Sequence, residues 1–486
     1  MTNRLLHITF RWTKVLIWVG IASLVIGGLA IQYRIHLSNE WEERVKLPTA
    51  PSHGVGDRLI VFSPHCDDET LGCGGLIASS VANGANVRVV MLTNGDGYKF
   101  AISRAYKTIK ITPTRCISFA YKRQQETLRA LGILGVNKNN VTFLGYPDRG
   151  IDRLWSSYWE SANLYTSQYT KANHSPHVNS YSRQAPYCGE SLLTDIEKII
   201  KTEKPTDVYV PHPCDNHPDH HAAYCFVAAA IEQLRAEGKP QNVKVHTYIV
   251  HRGDWPTPRG KNADMPLVPP YGLTREVTKW YALMMPANII DRKSRAIDCY
   301  KTQVAVSKGF LSSFIRANEI FGDVPVRGVF PAPLGTIKID GKVEDWTRVP
   351  PAVVDAVGDY VVAVMSRSGD VRAVYLAKDA NNLYIRVDCV RHLSKRIKYT
   401  VNLRGFGASD SDDIYSIAIR LNKPALPSDT QWFARNNTLE IAVPLRKLKL
   451  DSDLFIQVQT KLMKITVDNT GWRDVEFGKH LKVKES

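Results

Sequence analysis

The chain has 486 residues, enough for two or three domains with sizeable cores. Apolar residues make up 44% and charged residues 23%, which excludes a mainly disordered chain, a collagen or a coiled coil. The formal charge of +16 is spread along the chain, with an excess of +3 over residues 1–50, +7 over 51–324 and +6 over 325–486. No basic arm concentrates it, which argues against a nucleic-acid partner and fits anionic surfaces or substrates better. Eight cysteines without a C-x-x-C pair exclude a disulfide scaffold and a zinc ribbon.

The first element in chain order is the uncharged run Val15–Ile31, 17 residues long. As a helix it spans roughly 25 Å, near the lower limit for crossing a bilayer. Arg4, Arg11 and Lys14 precede it closely, whereas Arg34, Arg44 and Lys46 follow at wider spacing among Glu40, Glu42 and Glu43. This pattern predicts a cytoplasmic tail over 1–14, a single transmembrane anchor over 15–32 and a body outside the cytoplasm. A cleaved signal peptide is the alternative, although no clear small-x-small site follows the run. Residues 33–54, polar and containing Pro48, Pro51 and Gly54, read as a linker.

Residues 55–322 read as an α/β, Rossmann-like domain. Arg58–Ser63, Val87–Thr93, Val141–Tyr146 and Thr206–His212 are short apolar runs of the kind that form buried parallel strands. Helical spacing appears over Gln124–Leu134 and Ala222–Leu234. Strands alternating with helices predict a sheet that binds ligands beyond its C-terminal strand ends. After Phe321 the pattern changes. Val371–Cys389, Ile414–Leu421, Leu439–Leu445 and Leu454–Leu462 alternate apolar and polar residues, which predicts an all-β sandwich over 323–486.

Two short segments carry the chemistry. Pro64-His65-Cys66-Asp67-Asp68-Glu69 follows the first strand directly, and His217-Pro218-Asp219-His220-His221 follows the fourth and opens a helix. A catalytic zinc takes three His or carboxylate ligands and leaves one position open. His65, Asp68 and one histidine of the second segment would supply that set. Asp67 would then stand free beside the metal as a base, and the other histidine would meet the charge developing opposite it. The bland reading of His-Pro-Asp-His alone is a helix start with Asp219 at its N-terminus. The seven basic residues between Lys99 and Arg123, with no acidic residue among them, are either a solvated face or a rim for an anionic glycan.

These segments resemble the LmbE-like, or PIG-L-like, N-acetylglucosaminyl deacetylases, whose signature is P-H-x-D-D-E followed by H-x-D-H. Thr93–Gly97, Arg123–Glu126 and Phe143–Asp148 share that family's order and spacing. The resemblance extends to about residue 320, including expected helices at Lys301–Gln303 and Arg316–Glu319. It implies a zinc ion and hydrolysis of an N-acyl group from an amino sugar. It further implies His65, Asp68 and His220 as metal ligands, Asp67 as general base and His217 as the group stabilising the tetrahedral intermediate. Asp219 would orient a ligand or His217, and Arg123 and Asp96 would approach the sugar. His221 has no counterpart role, and Cys66 stands where the family usually has proline.

Residues 330–486 resemble family 9-type carbohydrate-binding modules, through Gly335–Trp346 and Val374–Ile385. Trp346, Trp432 and Trp472 are candidates either for sugar stacking or for the core. The expected partners are therefore a GlcNAc-containing glycan or glycolipid and a membrane, with no nucleic acid. A deacetylase or amidase acting on a small GlcNAc conjugate, or a non-catalytic glycan-binding surface protein, is the alternative.

Overall fold

A computed structural model describes residues 45–238, 242–253, 255–270, 273, 278–356, 367–406, 414–422, 429–448 and 453–478, and part of 18–32. The chain divides after Leu47. Before that point, the described residues between 18 and 32 are helical. No helix of the described residues is long and apolar enough to cross a membrane, and much of the expected anchor over 15–32 lies outside them.

The second unit opens on a seven-stranded sheet. Its strands are β1 (Arg58–Ser63), β2 (Asn86–Thr93), β3 (Val141–Tyr146), β4 (Asp207–Pro211), β5 (Lys244–Tyr248), β6 (Lys279–Met284) and β7 (Asn318–Asp323), in the spatial order β3-β2-β1-β4-β5-β7-β6. The first five run parallel. Both of their faces are covered, so β1 and β4 carry almost unbroken apolar runs and are buried along nearly their whole length. The helices are α1 (Asp68–Ala82), α2 (Lys99–Tyr106), α3 (Pro113–Leu134), α4 (Ile151–Ser156), α5 (Gly189–Glu203), α6 (Pro218–Ala236), α7 (Ala287–Ile297) and α8 (Lys301–Ser312). From β1 the chain winds one way to β2 and β3, then the other way from β4 to β5. The switch point, where such sheets bind ligands, thus lies beyond the C-terminal ends of β1 and β4.

The four expected strands do pair in parallel, and the sheet is mixed because β7 runs antiparallel to both β5 and β6. Two expectations need correction. Arg316–Glu319 is not a helix, since Asn318 and Glu319 open β7. The linker is shorter than 33–54. Pro48 and Ala50 exchange backbone hydrogen bonds with Ala282 on the edge strand, and the Tyr209 hydroxyl lies 2.7 Å from Nε2 of the buried His53. These residues close an edge that would otherwise leave backbone groups open.

The C-terminal region is built from two sheets. One orders Pro351–Val354, Val371–Lys378, Asn382–Cys389, Thr438–Pro444 and Gln431–Arg435, and the other Tyr415–Ile419, Ile397–Phe406, Asp453–Leu462, Arg473–Glu476 and Arg327–Gly328. Val374, Ile385 and Ile441 of the first meet Val401, Ile417 and Val458 of the second in one apolar core. The tryptophans serve cores: Trp346 is buried with Ile337 and Tyr384, and Trp432 packs against the inter-sheet core.

The sandwich is not a tethered module. Phe455 and Trp472 belong to the same apolar cluster as Trp155, Trp159 and Phe226 of the α/β part. Trp155 meets Phe226, Phe455 and Trp472 edge-on, at centroid distances of 5.1, 5.2 and 6.1 Å. The guanidinium of Arg404 stacks 3.6 Å from the Trp159 ring centroid and donates to the carbonyl of Trp155.

Candidate active site

After β1 the chain turns sharply so that α1 begins at Asp68. Asp67 occupies the turn with φ of +141°, a region that L side chains rarely adopt. Two groups hold it there. Its N–H donates to Glu69 Oε2 at 3.1 Å, and the Arg123 guanidinium, coming from α3, reaches Asp67 Oδ1 at 3.1 Å and also the carbonyl of Cys66. Glu69 is itself fixed by the Tyr300 hydroxyl on its other oxygen. Strain at one residue that its surroundings hold in place marks a position set for function. After β4 the corresponding turn ends at His217, which caps α6: the Asp219 N–H donates to His217 Nδ1 at 3.2 Å.

The two turns bring three donor atoms together. His65 Nδ1 lies 3.1 Å from Asp68 Oδ2, His220 Nε2 lies 2.9 Å from the same oxygen, and the two nitrogens are 3.3 Å apart. Ligands about 2.0–2.1 Å from a tetrahedral zinc are themselves separated by about 3.3 Å. The triangle therefore has the size of one face of such a site, and two imidazole nitrogens plus a carboxylate form a zinc-compatible donor set. His217 also lies within range of His65 and His220, and His251 within range of Asp68 and His220.

Behind the triangle, each histidine turns its other nitrogen to a carboxylate, the arrangement that fixes tautomer and ring angle at metal sites. His65 Nε2 lies 3.2 Å from Asp219 and 3.3 Å from Asp148, and His220 Nδ1 lies 3.2 Å from Asp215. Asp215 is anchored by the N–H groups of His217, Val250 and His251. Burial disfavours charge on Asp68 and His220, yet the attraction between them and their charged neighbours prevails. Asp68 is held well below the usual carboxylate range by His220 and His65, and His220 is pushed up to about 9 by Asp215 and Asp68. Several carboxylates facing two imidazoles make a buried pocket that favours positive charge. Asp215→Asn should weaken zinc affinity by about 10–100-fold. Competition with a chromophoric chelator measures this, and an unchanged affinity would remove Asp215 from that role.

Asp67 sits at the edge of the triangle and lines a cavity of about 330 Å³ with His65, Asp68, Arg123 and His217. Burial, opposed by Arg123 and reinforced by Asp68 and Glu69, pushes its carboxyl up to about 7. His217 goes the other way, down to about 2, through burial and the neighbouring His65, His220 and His251. Because its Nδ1 accepts from Asp219, the neutral ring carries its proton on Nε2. Leu71, Tyr98, Phe310 and Leu311 supply the apolar wall.

The other expected residues take different roles. Asp96 is buried, does not line the cavity and faces His177 Nε2 at 3.5 Å. Arg123 reaches the cavity but spends its guanidinium on Asp67, Cys66 and Gly95. Asp219 orients His65 and also accepts from the Arg149 and Ile151 N–H groups. His221 turns away from the triangle and accepts from the Trp472 N–H at 2.6 Å. Cys66 is fully buried, with its thiol pushed up to about 12 by burial. The sequence reading missed Asp215, His251 and the contact of Asp148 with His65. Asp215 stands two residues before His217, a signal that could have been used, whereas His251 follows a strand that reading did not identify.

Residues 60–231 match the family model described as PIG-L, GlcNAc-PI de-N-acetylase. A 1D-myo-inositol 2-acetamido-2-deoxy-alpha-D-glucopyranoside deacetylase of Kribbella flavida is 27% identical over 293 residues, covering 55% of this chain and 89% of that protein. Its counterpart from Mycobacterium sp. (strain KMS) is 30% identical over 180 residues, 37% of this chain and 51% of that protein. Among solved structures, N,N'-diacetylchitobiose deacetylase from Pyrococcus horikoshii aligns with 55% of this chain and 82% of its own, at 18% identity and a TM-score of 0.35. Over residues 60–231 the chain is therefore similar to the PIG-L de-N-acetylases.

Proposed function

We propose that the chain is a zinc-dependent hydrolase that removes the N-acetyl group from a GlcNAc-containing glycan or glycoconjugate. The observation that carries this is the triangle of His65 Nδ1, Asp68 Oδ2 and His220 Nε2, with Asp67 beside it in an open cavity. When bound there, zinc supplies Lewis acidity toward a water and a carbonyl. Asp67 takes the proton of the attacking water, held in position by Arg123. The Nε2–H of His217 meets the oxyanion that develops at the acetamide carbon. Asp67 then returns its proton to the leaving amine, so acetate and a free amino sugar result. The apolar wall of Leu71, Phe310 and Leu311 suits the acetyl methyl group and keeps bulk water from the reacting atoms.

The relatives named for an inositol glycoside support the amide chemistry, and a small conjugate of that kind is the second reading. The apolar run at 15–31, preceded by three basic residues, supports a membrane-attached enzyme acting outside the cytoplasm. Acetate release from N,N'-diacetylchitobiose by the full chain is the test. Release that stops on chelation and returns with zinc is expected, and a zinc-loaded chain that releases none from this or the inositol glycoside would contradict the proposal.

A further inference from the structure

A second cavity, about 480 Å³ and so larger than the catalytic one, lies where the sandwich meets the α/β part. One wall is the outer face of the strand Asp453–Leu462. Side chains two apart on a strand share a face, so Phe455, Gln457, Gln459 and Lys461 stand in one row. Phe455 packs on Trp155, which fixes this face against the α/β part, and the next three line the cavity. Asn402, opposite Gln457 in register, donates to it at 2.9 Å. The other wall comes from Arg153, Asn216 and Arg252.

We propose that this cleft binds the part of a neutral glycan chain that extends beyond the sugar being deacetylated. The inference rests on the glycan reading of the catalytic site and adds a substrate length to it. Continuity is the first argument. Asn216 and Arg252 are chain neighbours of His217 and His251, which line the catalytic cavity, so the two cavities flank the same two loops. Chemistry is the second. Carboxamides donate and accept, guanidinium groups donate in pairs and carboxylates accept in pairs, which together match vicinal hydroxyls. Asp152, Asp215, Asp355 and Asp468 outnumber Arg153, Arg252 and Lys461 along the cleft, a lining that does not suit a polyanion. Availability is the third. The side chains of Gln459 and Lys461 are half-buried, and neither has a hydrogen bond or ion pair to the protein among the described residues.

The test compares the N-acetylglucosamine pentamer with the dimer, using the full chain and the double variant Gln459→Ala, Lys461→Ala. Both positions lie at the surface of a sheet whose core side chains are untouched. The native chain should show a KM for the pentamer about tenfold below that for the dimer, the size expected of a few hydrogen bonds. In the double variant the ratio should rise to about one. The same ratio in both proteins, or no preference for the pentamer in the native chain, would overturn the cleft while leaving the deacetylase reading intact. If neither oligomer yields acetate, that reading fails first, and calorimetry of pentamer binding decides the cleft by itself. Binding lost in the double variant supports it, and equal binding or none overturns it.

Discussion

Asp67→Asn should lower kcat for acetate release by about 10²–10⁴, the range for removal of a general base, while the zinc content stays that of the native chain. The amide is nearly isosteric with the carboxyl and retains an oxygen for Arg123 Nη2, 3.1 Å away in the native chain. Asparagine branches as aspartate does, so the turn at +141° meets the same steric demand in the variant. What is lost is the ability to take and return a proton. The contacts of Asp67 differ from those of its neighbour, because Asp68 points at both histidines and Asp67 at Arg123. The corresponding change at Asp68 should therefore lower metal content as well as rate. Turnover near the native value in a folded, zinc-loaded Asp67→Asn protein would assign the base to another group.

The second large effect lies in stability. Lys293, on α7, is fully buried, and its ammonium lies 2.6 Å from Glu319 on β7 and 2.8 Å from the carbonyl of Leu71 on α1. Glu319 also accepts from the N–H groups of Gly75 and Leu76. One ion pair thus ties two helices and an antiparallel strand together. The approach is close, since a Cβ at Gly75 would fall 2.0 Å from the Met285 sulfur. Lys293→Met leaves the carboxylate buried without its countercharge and should cost about 3–5 kcal/mol. For a domain of this size that is a drop in Tm of roughly 10 °C. Adding Glu319→Gln removes the orphaned charge while keeping an acceptor for one backbone N–H, so the double variant should recover part of the loss. A melting temperature within a degree or two of native for Lys293→Met would show that the pair does not hold the fold. The effect bears on catalysis too, because α1 starts at Asp68.

The same pair explains where sequence reading stops. The first four strands of the sheet are legible because burial on both faces demands continuous apolar runs, as in Arg58–Ser63. Strand β7 is not, because its buried Glu319 and Asn318 are polar and the preceding Arg316 and Ala317 favour a helix locally. Lys293, 26 residues earlier, and the N–H groups of Gly75 and Leu76 make that glutamate a core residue. The site divides in the same way. His65, Asp68 and His220 are legible because two dense polar clusters interrupt apolar strands. Asp148, Asp215 and His251 are ordinary in sequence and come together only when β3, β4 and β5 align their C-terminal ends. The sandwich strands show in their alternation, but the joining of the two cores at Trp155, Phe455 and Trp472 leaves no local trace.

The central claim is that His65, Asp68 and His220 hold the metal on which deacetylation depends. The most direct measurement is the zinc content of the purified full chain and of His65→Ala, Asp68→Ala and His220→Ala, each paired with acetate release from N,N'-diacetylchitobiose. About one zinc per native chain is expected and, in each folded variant, loss of both the metal and the acetate. Full zinc occupancy in any of the three, or acetate release at the native rate from a chain stripped of metal, would contradict it.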